Sequence, residues 1–127
     1  MSQPGRIYKI LPEGAWRAAL AAGAYEGSEI DRRDGFIHFS RADQVAETAR
    51  KHFAGQTDLV LLEVEATALG AALRDEPSRG GALFPHLYGP LPVGLVQRTW
   101  PLPWDGHAHE LPALGDEAPP SPSFSRN

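Results

Sequence analysis

Two short segments carry residue types from which a reaction site could be built. Gly35-Phe36-Ile37-His38-Phe39-Ser40 sets a ring, a histidine and a hydroxyl at alternate positions, and Phe84-Pro85-His86-Leu87-Tyr88 does the same with two rings around a histidine. Residues two apart in an extended chain share a face, so Phe36, His38 and Ser40 would stand together, as would Phe84, His86 and Tyr88. Histidine exchanges protons near neutral pH, and the rings offer stacking surface, with a polar tip on tyrosine. A third segment, Glu76-Pro77-Ser78-Arg79-Gly80-Gly81, adds a carboxylate, a guanidinium fork suited to phosphate or carboxylate, and paired glycines whose N–H groups could approach a ligand closely.

Each residue also fits a purely structural role. His38 is either a hydrogen-bonded core histidine or a group lining a cleft. Ser40 suits the N-cap of a following helix. Lys9 either snorkels from a sheet edge or, if central, needs an anionic partner. Residues 76–81 also read as a solvated loop, and His86 and Tyr88 as a buried pair satisfied by the backbone.

The elements that would position these groups follow from periodicity. Ile7 to Leu11 reads as a strand ended by Pro12, and a helix opened by Pro12-Glu13 carries Trp16, Ala19 and Leu20 at helical spacing up to Gly23. Asp34-Gly35 signals a turn into a strand over residues 36–40. Ser40-Arg41-Ala42-Asp43 resembles a capping box, starting a helix with Ala42, Val45, Ala49 and Phe53 inward and Gly55 beyond. Asp58 to Glu65 is the strongest strand and is expected to be central, with Val60, Leu62 and Val64 on an apolar face. A helical turn over 69–73, a polar loop over 75–81 and a strand over 93–100 complete the order. The sum is an α+β domain with two early helices. It is expected to occupy residues 1–111, with a Pro/Ser-rich disordered tail over 112–127.

Composition narrows the chemistry. The 127 residues suit one domain, and the absence of cysteine excludes thiolate nucleophiles and cysteine-ligated metals. The pair His107 and His109 lacks further ligands at motif spacing, so no metal is expected. Neither Ser40 nor Ser78 lies in a nucleophile-elbow frame. A net charge of -4 argues against nucleic acid, and no apolar run is long enough for a membrane helix. Without a secretory signal, a cytoplasmic location and a small-molecule or protein partner are expected.

Taken together, IYKI, DGFIHFS, QVAETARKHFAG, LVLLEVEA, EPSRGG and FPHLYGPL resemble the bacterial domain-of-unknown-function family 952 over residues 6 to 104. The resemblance implies a compact fold similar to the ADP-ribosyltransferase superfamily, a small split antiparallel or mixed sheet holding NAD in a cleft. It implies that Glu76 faces the ribose while Arg79, Gly80 and Gly81 hold the phosphates. It also implies that His38 and Ser40 serve the ribose and nicotinamide side, that Lys9 and His86 line the cofactor site, and that Phe84 or Tyr88 stacks on a ring. Lys9 and Ser40 stand where the histidine–tyrosine–glutamate transferases carry histidine and tyrosine. No Glu-x-Glu or Gln-x-Glu pair introduces a late strand. ADP-ribosyl transfer, cleavage of the nicotinamide–ribose bond and simple nucleotide or protein binding therefore all stay open.

Overall fold

The computed structural model describes residues 5–78 and 81–114. Its frame is a four-stranded antiparallel sheet in the order β4-β1-β5-β9, formed by Ser40–Arg41 (β4), Arg6–Pro12 (β1), Leu59–Glu65 (β5) and Val96–Pro101 (β9). The expectation of a central third strand holds: β5 pairs along its whole length with β1 and is buried on both faces. Val60, Leu62 and Val64 join Ile7 and Leu11 on one face, while Leu59 and Leu61 join Tyr8 and Ile10 on the other. Burying each such side chain contributes about 1.5–3 kcal/mol, so two cores back to back on one sheet supply most of the drive to fold.

Helix α1 (Glu13–Ala22) ends where Gly23 takes φ 93, a left-handed conformation that glycine adopts without penalty. Ala19 is buried, but Leu20, expected in the buried stripe, is 52% exposed. A second helix, α2 (Glu29–Asp34), was not expected. Its six residues are too few to show periodicity, and the Asp34-Gly35 turn signal is its C-terminal stop, with Gly35 at φ 90. Helix α3 (Val45–His52) follows a 3-10 turn over Ala42–Gln44 and covers the second core with Val45 and Ala49. Leu102, Leu111 and Leu114 pack on the same core.

The first core is closed by two smaller antiparallel sheets. One pairs Ala24–Tyr25 (β2) with Leu91–Pro92 (β8). The other has the order β3-β7-β6, from Ile37–His38 (β3), Leu83–Leu87 (β7) and Leu73–Pro77 (β6). Two expectations are corrected by this sheet. The polar stretch beginning at Asp75 is strand through Pro77, because pairing with β7 satisfies a backbone that composition alone would leave in a loop. The strand expected over residues 36–40 is split, since β3 pairs with β7 and β4 pairs with β1. Between them, Phe39 N–H donates to Pro85 O at 2.9 Å. The chain thus passes from the small sheet to the large one at Phe39, and the two sheets are further tied where Arg41 meets both carboxylate oxygens of Asp75 at 2.7 Å. The strand expected over 93–100 likewise begins with a 3-10 turn, Val93–Leu95, before β9.

The α+β class expected from sequence is the one observed, with antiparallel sheets and, among the described residues, three α-helices. Among the described residues no helix is long and apolar enough to cross a membrane. The tail from residue 115 onward lies outside the described residues.

Candidate functional site

The site grows from the cap of α2. Ser28 Oγ accepts the Asp31 N–H at 3.1 Å, and Asp31 Oδ2 accepts the Ser28 N–H at 2.8 Å, a reciprocal capping box. Gly27 just before it takes φ 103, and a Cβ there would lie 2.8 Å from Asp31 Cβ, so the bend requires glycine. The cap turns the Asp31 side chain inward, where it is 2% exposed and meets groups from two strands. Lys9 Nζ donates to its two oxygens at 3.2 and 3.0 Å, and His38 reaches Oδ1 with its N–H at 3.2 Å and with ring Nδ1 at 2.6 Å. The other ring nitrogen, Nε2, lies 3.1 Å from Asp34 Oδ2 one helical turn on.

Burial opposes the charge on Asp31, but the His38 hydrogen bond, the Lys9 ammonium and the Ser28 N–H together outweigh it and hold the carboxyl well below the ordinary range. Burial likewise pushes Lys9 below the ordinary lysine range, with Asp31 opposing the shift. Lys9 therefore meets the condition set for a central strand: it has its anionic partner, and that partner is Asp31.

A second histidine–carboxylate pair comes from β6 and β7. Their register sets Glu76 opposite Phe84 and Arg74 opposite His86, which leaves Glu76 diagonal to His86 on the same face. His86 Nδ1 lies 2.8 Å from Glu76 Oε1, and Tyr88 OH donates to that same oxygen at 2.8 Å. These two bonds, His86 first, hold the Glu76 carboxyl below its ordinary range, and the same contact raises the Tyr88 phenol. Both bonds fall on Oε1 of a side chain that is 30% exposed. The guanidinium of Arg74 lies 5.1 Å from the centre of the Tyr88 ring.

Phe36 joins the two pairs. Its ring stacks on His86 at 4.0 Å and lies 4.7 Å from His38 and 5.3 Å from Tyr88, and the His38 and His86 rings are 5.5 Å apart. Phe36 also borders a groove of about 280 Å³ with Asp31, Arg32, Gly35 and Leu87. His86 is 3% exposed, and its Nε2 has no hydrogen-bond partner among the described residues.

The structure thus brings together Lys9, His38, Glu76, His86 and Tyr88, the last 41% exposed at the rim. Phe84 stands opposite Glu76 in the register but outside the ring contacts among Phe36, His38, His86 and Tyr88. Ser40 is not on the His38 face. The break in the strand at Phe39 puts it opposite Tyr8 on the α3 side, where its hydroxyl lies 2.9 Å from that of Thr48. Nor does it cap the helix, for Arg41 N–H is taken by Gln44 Oε1 at 2.8 Å. Gly81 is exposed with φ 84 and donates its N–H to Ser78 O at 2.9 Å. Arg79 and Gly80 lie outside the described residues.

Sequence reasoning missed Asp31, Asp34 and Arg74. The Ser28-x-x-Asp31 spacing was the available signal for the first, since it marks a helix start with its third residue turned back on the cap. Also missed is Glu63, which is 1% exposed on the α3 face of β5 and bound by Tyr8 OH at 2.9 Å and Arg98 Nε at 2.8 Å. His107 and His109 border a separate groove of about 470 Å³ against α3, where His109 packs on Trp104. Among the described residues, no group of three or more His, Cys, Asp or Glu is arranged to hold a metal ion.

Comparison with known proteins places this geometry in a defined lineage. Residues 10–99 match a family described as "Protein of unknown function (DUF952)". The chain is similar to the X-ray structure of protein CC0527 from Caulobacter crescentus, with 53% identity and a TM-score of 0.81 over 84% of this chain and 94% of that one. The solution NMR structure of the same protein gives 54% identity and a TM-score of 0.75, over 82% and 90% of the two chains. No protein with a curated description matches the chain.

Proposed function

This chain belongs to the DUF952 family of proteins of unknown function, and from that premise we propose that it takes NAD as a substrate and cleaves or transfers at the nicotinamide–ribose bond, using Glu76 and His38. The observation that carries the reading is the Glu76 carboxylate, fixed through Oε1 by His86 and Tyr88 with its second oxygen uncommitted, across the Phe36 ring from His38. When the C1′–N bond breaks, its electron pair leaves with nicotinamide and neutralises the pyridinium, so positive charge develops on the ribosyl carbon and ring oxygen. A preoriented carboxylate stabilises that charge more than it stabilises the ground state. Water or an acceptor hydroxyl then adds at C1′ and gives its proton to His38 Nε2, where Asp34 Oδ2 at 3.1 Å stabilises the imidazolium that forms while Nδ1–H stays on Asp31.

The substrate's anionic phosphates call for cations. Arg32 borders the groove and Arg74 flanks Tyr88, while the role implied for Arg79 falls outside the described residues. The alignment of a split antiparallel arrangement with polar residues at its joint is what an ADP-ribosyltransferase-like reading asks for, and it supports that reading by analogy of layout.

One observation favours a second reading, a non-catalytic nucleotide- or protein-binding module. Both ring nitrogens of His38 already face carboxylates, which leaves less of the ring for proton transfer. Incubation of purified protein with NAD separates the two. The enzyme reading expects stoichiometric excess release of nicotinamide, reduced at least 100-fold by Glu76→Gln, the loss typical of removing one electrostatic stabiliser. A rise in melting temperature with NAD and no nicotinamide would instead establish binding alone, and neither response would sink both.

A further inference from the structure

Arg74 is the exception among the cations of this chain. Every other lysine and arginine among the described residues is held by a carboxylate, save Arg32, which donates to Gly27 O at 2.8 Å. Among those residues Arg74 alone has neither kind of partner. Its exposed guanidinium rests over the Tyr88 ring at 5.1 Å, a contact that leaves its N–H donors open to an anion. Its place is equally particular. Arg74 pairs across the sheet with His86, and Glu76 follows two residues later on the same face of β6, about 7 Å away along the strand. Asp75 between them points to the other face, where Arg41 takes both its oxygens. Tyr88 touches both site residues, the guanidinium with its ring and the Glu76 carboxylate with its hydroxyl, which fixes the spacing of cation and anion.

We propose that Arg74 binds the 5′-phosphate of the ribose whose C1′ faces Glu76, so that the unit recognised is a 5′-phosphorylated nicotinamide riboside and the adenylate half of NAD adds little. This inference rests on the proposed cleavage at the nicotinamide–ribose bond. A single sugar carries C1′ at one end of its ring and the 5′-phosphate beyond the other, a span that alternate residues of one strand match, whereas the adenylate begins past that phosphate. An uncommitted guanidinium gives a phosphate a charge-assisted contact through two parallel N–H bonds. A second phosphate finds no free lysine or arginine among the described residues, since Arg32 is tied to Gly27 in a groove it shares with Glu26 and Asp31. With the mononucleotide, the C1′–N bond breaks with its electron pair on nicotinamide, water adds at C1′ and His38 takes the proton. The products are nicotinamide and ribose 5-phosphate; with NAD they are nicotinamide and ADP-ribose.

Three substrates given to the full chain test the assignment: NAD, nicotinamide mononucleotide and nicotinamide riboside, with nicotinamide release as the readout. The mononucleotide is expected to match NAD within about threefold in kcat/KM, and the riboside, which lacks the phosphate, to fall about 10–100-fold below both, the loss of one hydrogen-bonded charge contact. Arg74→Ala should lower kcat/KM by the same factor for the two phosphorylated substrates and leave the riboside unchanged, with Arg74→Lys in between. Preference for NAD over the mononucleotide by more than tenfold would overturn the proposal. So would a loss on the riboside equal to that on the phosphorylated pair, which would mean that Arg74 acts only by propping Tyr88 and Glu76, or a loss with Arg79→Ala and none with Arg74→Ala. If Arg74→Ala does not fold, the wild-type substrate series still decides. The outcome is separable from the reading it rests on. Should none of the three be cleaved, bond cleavage falls, and calorimetry with ribose 5-phosphate still judges Arg74: binding at least tenfold weaker in Arg74→Ala upholds its role, and equal or absent binding removes it.

Discussion

Asp31 Oδ1 lies 2.6 Å from His38 Nδ1, while the same carboxylate accepts the Lys9 ammonium at 3.0 Å from a neighbouring strand. One buried side chain, oriented by a helix cap, thereby fixes both the half-exposed histidine of the site and the charge in the middle of the main sheet.

Asp31→Asn should destabilise the protein by about 3–5 kcal/mol, because it strands the Lys9 ammonium in the core without its counter-charge. The double variant Lys9→Met with Asp31→Asn should recover a large part of that loss in urea unfolding. If the two single losses simply add, the ion pair is not the source of the cost.

Acid should weaken the fold through the same residue. A carboxyl held below its ordinary value of 3.8 in the folded state contributes its full stabilisation above that value and loses it as pH falls toward the folded-state value. Unfolding midpoints measured downward from neutral pH should therefore drop below about pH 4, with a steeper slope in the wild type than in Asp31→Asn. Equal slopes would assign the acid sensitivity elsewhere.

Gly27→Ala and Gly14→Ala should have opposite consequences. At Gly27 the chain has φ 103 and a new Cβ would meet Asp31 Cβ at 2.8 Å, so a loss of about 1–3 kcal/mol is expected together with a broadened His38 resonance. At Gly14, near the start of α1, a Cβ meets nothing within 4 Å, and the fold should gain about 0.5 kcal/mol. Thermal melts of the two variants give the comparison directly.

Ser40→Ala should leave any NAD-dependent activity unchanged, because the hydroxyl faces Thr48 on the α3 side of the main sheet. Tyr88→Phe should lower that activity by removing one of the two bonds that orient Glu76, with little change in melting temperature for a rim residue. An equal loss of activity in both variants would mean that Ser40 serves the site through a route other than contact.

Glu63→Gln should separate stability from function in the other direction. The side chain is 1% exposed and its loss of charge leaves Arg98 poorly matched, so about 2–4 kcal/mol of stability should go. Its place on the far face of β5 from Lys9 predicts unchanged nicotinamide release per folded molecule, as measured below the melting temperature of the variant.

The sequence by itself determined the strong periodic elements: the central strand over Leu59–Glu65, whose two apolar faces leave it nowhere to go but between layers, the first strand, and the helices ending at Gly23 and beyond Val45. It also set His38 on the face of Phe36 and His86 on the face of Tyr88, because alternation along an extended chain survives whichever sheet the strand joins, whereas Glu76 was expected in a loop and only its pairing with β7 aligned it with His86. Tertiary structure decided what short-range pattern cannot carry. Whether residues 36–41 run in one sheet or two depends on the partners β7 and β1, which lie far away in sequence, and that choice sent Ser40 to the opposite face from His38. The pairing of Asp31 with Lys9 spans 22 residues and depends on a six-residue helix too short to declare itself by periodicity. The stack of Phe36 on His86 joins positions 50 apart, and only the register of β3 on β7, which sets His38 opposite His86, brings the two rings together.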